Sequence, residues 1–222
     1  CQPVWTLHHN GPPLLVRRSR TCWISPTLHD LHQKRVGNKR IAFMVNSKLL
    51  NDLFQKLKSE EEYVVFAESL TGGLISSEFS KIAGVSAVLW GSFVVYNTHA
   101  KLDILHVPET IIETYGVVSK ECAIEMAKGA LKTSYTKEKA SPSYSLAVTG
   151  LAGPATKDDT LKVGTVCIAV AKINENFPKN LLYLSDDYIS SFSEVFHFEG
   201  DRNNIREQTL NKGVELLIRI LK

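Results

Sequence analysis

The chain has 222 residues, 44% of them hydrophobic, with 26 Lys/Arg against 23 Asp/Glu and a formal net charge of +3. That length suits one α/β domain with a full core plus an extension, and no apolar run is long enough to cross a bilayer, so a spanning membrane protein and a membrane partner are not expected. Seven basic residues and one acid, Asp30, fall in residues 1–43, which leaves 19 basic and 22 acidic groups in residues 44–222; a slightly acidic body with no basic stripe argues against direct nucleic-acid binding.

Residues 1–43 show no sustained period of 3.6 or 2, are rich in Arg, His and Pro, and begin with Cys1 rather than Met; the first methionine is Met44. Three readings fit: translation from upstream of the true start, an organelle presequence, or a plain tail. In each, residues 1–43 lie outside a folded domain covering 44–222. The body is expected in the cytoplasm, or in mitochondria if the basic, acid-poor segment is a genuine presequence. The four cysteines (Cys1, Cys22, Cys122, Cys167) have no CxxC pairing and no nearby His spacing, so no metal is expected, and Cys122 and Cys167 read as small core residues in a reducing compartment.

From Met44 the pattern becomes regular. "NSKLLNDLFQKLKSE" places Leu49, Leu50, Leu53, Phe54 and Leu57 at helical spacing behind Asn46 or Ser47 as N-cap. "YVVFAE" reads as a short buried strand, "TGGLISSEFSKIAG" as a helix ended by Gly84, and "SAVLWGSFVVYN" as a long strand. "HAKLDILHV" is a short helix stopped by Pro108, "PETIIETYG" a second one ended by Gly116, and Ser119 caps the amphipathic "KECAIEMAKGALKTSY". "YSLAVTG", "VGTVCIAVA", "NLLYLS" and "EVFHFEG" read as strands, and "DRNNIREQTLNKGVELLIRILK" as a closing helix. Strands alternating with helices indicate an α/β sheet covered on both faces, and the consecutive strands near 163–198 make it mixed.

The stretch "VFAESLTGG" leaves a strand through a Glu-Ser pair into a turn with Thr71, Gly72 and Gly73. One reading makes Ser69 a helix N-cap. The other makes it a nucleophile, with backbone amides around Thr71 and Gly72 receiving an oxyanion and the two glycines allowing close approach of a substrate. A serine hydroxyl needs a base, and "YNTHAK" offers Lys101, with Tyr96 beside it and His99 as competitor. A lysine serves as base only when burial or a nearby cation lowers its pKa. "VTGLAGP" supplies a loop that either cradles a phosphate or simply turns, and "GDRNNIR" places Arg202 and Arg206 at i, i+4, where they either clamp an anion or form a solvated face.

In order, "AESLTGG", "SAVLWGSFVVYNTHAK", "GVVSKECAIEMAKGA", "AVTGLAGP", "VGTV" and "FEGDRNNIR" resemble the C-terminal domain of the CinA family, the nicotinamide-nucleotide amidohydrolases, across about residues 46–222. The resemblance implies a three-layer α/β/α sandwich with a mixed, mostly parallel sheet. It implies hydrolysis of the carboxamide of nicotinamide mononucleotide, a small-molecule nucleotide substrate, to nicotinic acid mononucleotide and ammonia, with no cofactor. Carried over by position, Ser69 matches the nucleophile, Tyr96 and Lys101 its partners, Thr149 and Gly150 a substrate-lining loop, and Arg202 a residue of the "GDR" signature. The resemblance favours Lys101 over His99, and a homo-oligomer.

Two departures stand out. "ATKDDTLK" (155–162) replaces the family's glycine-rich loop and adds Asp158 and Asp159, which bears on substrate choice, and nothing resembles the family's N-terminal pyrophosphatase domain, so a stand-alone deamidase domain is expected. The competing functions are a non-catalytic interaction module and an amidase for another pyridine carboxamide.

Overall fold

The computed structural model describes residues 44–136, 140–154, 160–178 and 181–221. Residues 1–43, expected to stay outside the fold, fall outside the described residues, as does most of the departing loop, 155–159.

Helix α1 (Ser47–Ser59) is capped by Asn46, whose side chain accepts from the Leu49 amide, and it buries Leu50, Leu53, Phe54 and Leu57 at i, i+3, i+4 and i+7. Strand β1 (Val64–Glu68) is buried along its whole length, as expected of a strand covered on both faces. Helices α2 (Leu74–Phe79), α3 (Thr98–Leu105), α4 (Glu109–Tyr115) and α5 (Lys120–Ser134) and strands β2 (Leu89–Val94), β3 (Tyr144–Gly150), β4 (Thr165–Ile173) and β5 (Ile189–His197) follow, and α6 (Arg202–Ile220) closes the domain.

The sheet order is β2-β1-β3-β4-β5. β1 pairs in parallel with β2 and β3, whereas β4 is antiparallel to both β3 and β5. Four of the five strands therefore run in one direction, and β4 alone is reversed. Along β1, Val64 and Phe66 join one core with α1, α2 and α6, while Val65 and Ala67 join a second core with α3 and α5. This alternation makes the domain a three-layer α/β/α sandwich.

The chain leaves β1 through α2 on one face, reaches β2, and returns over the other face through α3 and α5 to β3. The strand order thus reverses around β1, and the carboxyl end of β1 lies at the switch point where ligands gather in open α/β sheets.

Four elements differ from the sequence-based expectation; one is the last strand, expected over 194–200, which runs from Ile189 to His197. The long strand over 86–97 is shorter: a 3₁₀ turn occupies Val85–Ala87, and a register shift sets Val64 opposite Leu89 and Val65 opposite Gly91, leaving Trp90 as an extra, bulged residue. The helix expected to run to Gly84 ends at Phe79 and continues as turns. "NLLYLS" is not a strand over its described residues 181–185. The free edge of β4 is already taken by β5, paired without a break from Thr165↔His197 to Ile173↔Ile189, so the apolar run has no place beside it, and Leu182 and Tyr183 stand exposed.

The layer holding α5 is built for close approach. The sheet presents Ala67, Ala147, Ala169 and Ala171 to it, and α5 answers with Ala123, Ala127, Ala130 and Gly129. A Cβ on Gly129 would lie 2.0 Å from the Leu105 carbonyl oxygen at the end of α3. Alanine is about 1 kcal/mol better than glycine in a helix interior, but backbone overlap of this size outweighs that gain. Gly129→Ala is expected to destabilise the domain by about 1–3 kcal/mol, read as a lower urea midpoint at unchanged slope.

Candidate active site

Ser69 leaves β1 immediately after Glu68, its amide donating to the Val148 carbonyl of β3 at 3.1 Å. It does not cap a helix. α2 begins at Leu74 with Gly73 in the N-cap position, and Gly73 provides no side-chain cap. The Glu68 carboxylate provides one instead: Oε2 accepts from the Ile75 amide at 3.0 Å, and Oε1 from the Ser76 amide at 2.9 Å and the Ser92 hydroxyl at 3.1 Å. Glu68 is completely buried, and a carboxylate so placed needs such donors. Its function was not singled out in the sequence, although a buried acid at a strand end just before a short helix is the available signal.

With the helix end occupied, the Ser69 hydroxyl meets a different partner. Lys101 Nζ lies 3.0 Å from Ser69 Oγ, 2.8 Å from the Val95 carbonyl oxygen and 3.3 Å from that of Tyr96. Lys101 is 2% exposed although it sits on a helix of only eight residues. Among the described residues no ion pair involves it. Burial pushes its pKa below the ordinary 10.5, and the nearby Cys122 thiol opposes the shift only in part. A buried lysine with neutral acceptors and a serine hydroxyl at hydrogen-bond distance is the arrangement a lysine base requires.

His99, the competing base, is exposed on the first turn of α3, where its amide donates to Asn97 Oδ1, the helix cap. Tyr96 is brought to the site in a different manner from that expected. Its carbonyl, not its phenol, contacts Lys101, and the phenol oxygen accepts from Arg202 Nη2. Arg202 Nη1 also donates to the Gly153 carbonyl, so one guanidinium joins the end of β2 to the loop after β3. Arg206, one turn later, donates through Nε (3.2 Å) and Nη2 (2.7 Å) to the Thr71 carbonyl. Both arginines are aimed by the N-terminus of α6, where Asp201 accepts from the Asn203 and Asn204 amides and Asn204 answers to the Asp201 amide.

Gly72 and Gly73 have φ of +58° and +90°, a left-handed turn that a residue with a Cβ enters at a cost. The Gly72 amide donates to the Ser69 carbonyl and is therefore committed within the turn. Thr149 donates to the Val117 carbonyl at 2.7 Å, tying β3 to the segment before α5. A Cβ on Gly150 would lie 2.8 Å from the Thr165 carbonyl oxygen, so this glycine permits the close approach of β4. Cys122 and Cys167 are buried and free, with thiols raised by burial to about 11.

The described site therefore joins a serine, a desolvated lysine and a tyrosine–arginine pair at the switch point of an α/β/α sheet, and the comparisons identify the group of proteins that shares this frame. Residues 46–221 match the CinA C-terminal domain, and the chain belongs to that family. A CinA-like protein from Fervidobacterium nodosum is 39% identical over 178 residues, covering 80% of this chain and 38% of its own length. One from Thermosipho melanesiensis is 40% identical over 176 residues, covering 79% and 39%. The chain thus spans less than two fifths of these relatives. The crystal structure of competence/damage inducible protein CihA from Agrobacterium tumefaciens superposes with a TM-score of 0.65 at 30% identity, over 79% of this chain and 95% of that one. A CinA superfamily protein from Escherichia coli does so with a TM-score of 0.65 at 26% identity, over 84% and 96%.

Removing the Glu68 carboxylate leaves the Ile75 and Ser76 amides without their acceptor. Glu68→Ala is expected to destabilise the domain by about 3 kcal/mol or more, since each unsatisfied buried donor costs about 1–3 kcal/mol. Chemical denaturation monitored by tryptophan fluorescence checks this.

Proposed function

We propose that this domain is an amidohydrolase that deamidates nicotinamide mononucleotide to nicotinic acid mononucleotide, with Ser69 as nucleophile and Lys101 as base. The observation that carries the reading is the 3.0 Å contact between Lys101 Nζ and Ser69 Oγ, made by a buried amine with no ion-pair partner among the described residues. Neutral Lys101 accepts the Ser69 proton as Oγ attacks the carboxamide carbon. The tetrahedral intermediate collapses as Lys101 returns that proton to the leaving nitrogen, and ammonia departs. Water, deprotonated by the same amine, then attacks the acyl-enzyme, releasing the pyridine carboxylate and restoring the Ser69 hydroxyl.

Membership of the CinA family supports the choice of substrate. So does the rim of the site, where the half-exposed Tyr96 ring lies beside the Arg202 guanidinium, two groups suited to a flat heteroaromatic ring and a phosphate. Arg202 has spent two of its five N–H donors on Tyr96 and Gly153 and keeps others for a ligand.

Ammonia release from nicotinamide mononucleotide is expected from the domain starting at Met44. Ser69→Ala and Lys101→Met are each expected to lower kcat by roughly 10³-fold or more. Lys101→Arg does not rescue, because a guanidinium keeps its proton. Release at the parent rate by Ser69→Ala overturns the nucleophile assignment, and release by none of the proteins favours another amide substrate or an interaction module.

The pH dependence has a defined sign. The reactive form is the neutral amine, so kcat/KM rises with pH along a limb whose midpoint lies below 10.5, and Lys101→Met removes that limb. A folded-state pKa below the unfolded value also means that stability rises with pH between the two, and that the burial penalty is fully felt below the folded value. Denaturation midpoints measured across this range for the parent and for Lys101→Met are expected to diverge toward low pH.

A further inference from the structure

Resting on the nucleophile reading above, we propose that Arg206 is a positioning residue for Ser69, acting through the carbonyl of Thr71. The spacing of Arg202 and Arg206 at i, i+4 leaves two uses open, an anion clamp and a solvated face, and Arg206 follows neither. Its Nε and Nη2 donate to the Thr71 carbonyl at 3.2 and 2.7 Å, and Nη1 donates to Asn203 Oδ1 at 3.2 Å. One edge of the guanidinium thus grips the turn that follows Ser69, while a residue of its own helix steadies the other side.

That turn has few other supports. Residues 70–73 join β1 to the short helix α2, and φ values of +58° at Gly72 and +90° at Gly73 belong to a backbone with many alternatives. Leu70 seats the first residue of the turn in the core, but the remaining hydrogen bonds are local. The Gly72 amide donates to the Ser69 carbonyl, the Leu74 amide to the Thr71 carbonyl, and the Ser77 amide and Ser76 hydroxyl to the Gly73 carbonyl. Bonds of this kind travel with the turn when it moves. Among the described residues, the two from Arg206 are the ones that tie residues 70–73 to an element distant in sequence. α6 gives them a fixed base, because Ile205, Thr209 and Leu210 around the arginine are buried.

Position matters because the two reacting groups are carried by separate segments. Lys101 Nζ is held by the carbonyls of Val95 and Tyr96, whereas Ser69 takes its place from the end of β1 and the turn. The 3.0 Å separation of Nζ and Oγ lasts only while both supports stay put. The Ser69 amide is fixed by the Val148 carbonyl and the Ser69 carbonyl by the turn, so Arg206 secures the second of these two attachments. A displacement of about 1 Å at a reacting contact costs roughly 10²-fold in rate.

The test uses Arg206→Met, which keeps much of the apolar stem without the donors, and Arg206→Ala, which leaves room for added guanidinium. Three readouts are taken on the full chain: kcat and KM for ammonia release from nicotinamide mononucleotide, the rate at which an alkyl fluorophosphonate labels Ser69, located by mass spectrometry, and the recovery of both in millimolar guanidinium. Labelling forms an O–P bond at Ser69, expels fluoride and passes the hydroxyl proton to Lys101, so it needs the nucleophile in place but no nucleotide recognition. Both variants are expected to lower kcat and the labelling rate by about 10–10²-fold, with KM close to that of the parent, and guanidinium is expected to restore part of the loss in Arg206→Ala. Parent-like kcat and labelling in the folded variants, whatever their Tm, overturn the proposal and leave the contact a structural tie. A raised KM with parent-like labelling also overturns it, by making Arg206 a ligand-binding group. If Arg206→Ala does not fold, Arg206→Met decides by the same criteria. A parent that is not labelled at Ser69 overturns the proposal together with the nucleophile assignment. A parent that is labelled yet releases no ammonia overturns only the choice of substrate, and the labelling ratio still decides the role of Arg206.

Discussion

A lysine amine placed out of water, with no carboxylate partner among the described residues, is the constraint on which the rest of this domain depends. Isolated buried charges are expensive, and a group in that position gives up its proton more readily than it would in solvent. The surroundings of Lys101 fit this account: two backbone carbonyls and a serine hydroxyl, all neutral, fill its donor positions. Such an arrangement survives only if the supporting backbone cannot relax toward solvent. α3 is short and has little apolar surface of its own, so its place is dictated by α5, whose Gly129 lets the two backbones meet at Leu105. Packing in the helical layer and proton affinity at the site are in this sense one property.

Ser69 is held in place by groups that never touch it. Glu68 fastens the first turn of α2 to the end of β1, and Arg206 reaches from α6 to the carbonyl at the middle of the intervening turn. The five residues between those anchors include two glycines at positive φ, a sequence that in isolation samples many conformations. Anchoring from two separate elements removes that freedom during folding, before any ligand arrives, which is where pre-organisation contributes most. The same helix, through Arg202, links Tyr96 to the loop after β3, so the start of α6 acts as a bracket across three segments distant in sequence.

Much of this was legible in the sequence, for identifiable reasons. The elements with strong periodicity or clear caps were found close to their true limits: α1 behind Asn46, α5 behind Ser119, and β3 over Tyr144–Gly150. The strand expected at 180–185 failed because β-propensity reports local preference, whereas β4 pairs directly with β5 and the run lies in the connection between them. Ser69, Lys101, Tyr96 and Arg202 do meet, but pairing them by sequence could not show that Tyr96 contacts Lys101 by its carbonyl and Arg202 by its phenol. Glu68 was visible as a letter and not as a function: a strand-end acid reads as a solvated terminus until the helix amides that turn back onto it are known.

The two helical layers of the sandwich differ in grain. Against α1 and α6 the sheet offers Phe66, Leu146 and Ile168, long side chains that meet long side chains, whereas against α5 it offers Ala67, Ala147, Ala169 and Ala171 among fewer large residues such as Val65. Interdigitated large side chains accommodate exchange, because volume lost at one position is recovered at its neighbour. At Gly129 there is no such slack: an added carbon meets the Leu105 carbonyl. The layer with the tighter helix–helix contact is therefore the one that carries Lys101. Substitutions that add volume are better accommodated on the far side of the sheet from Lys101.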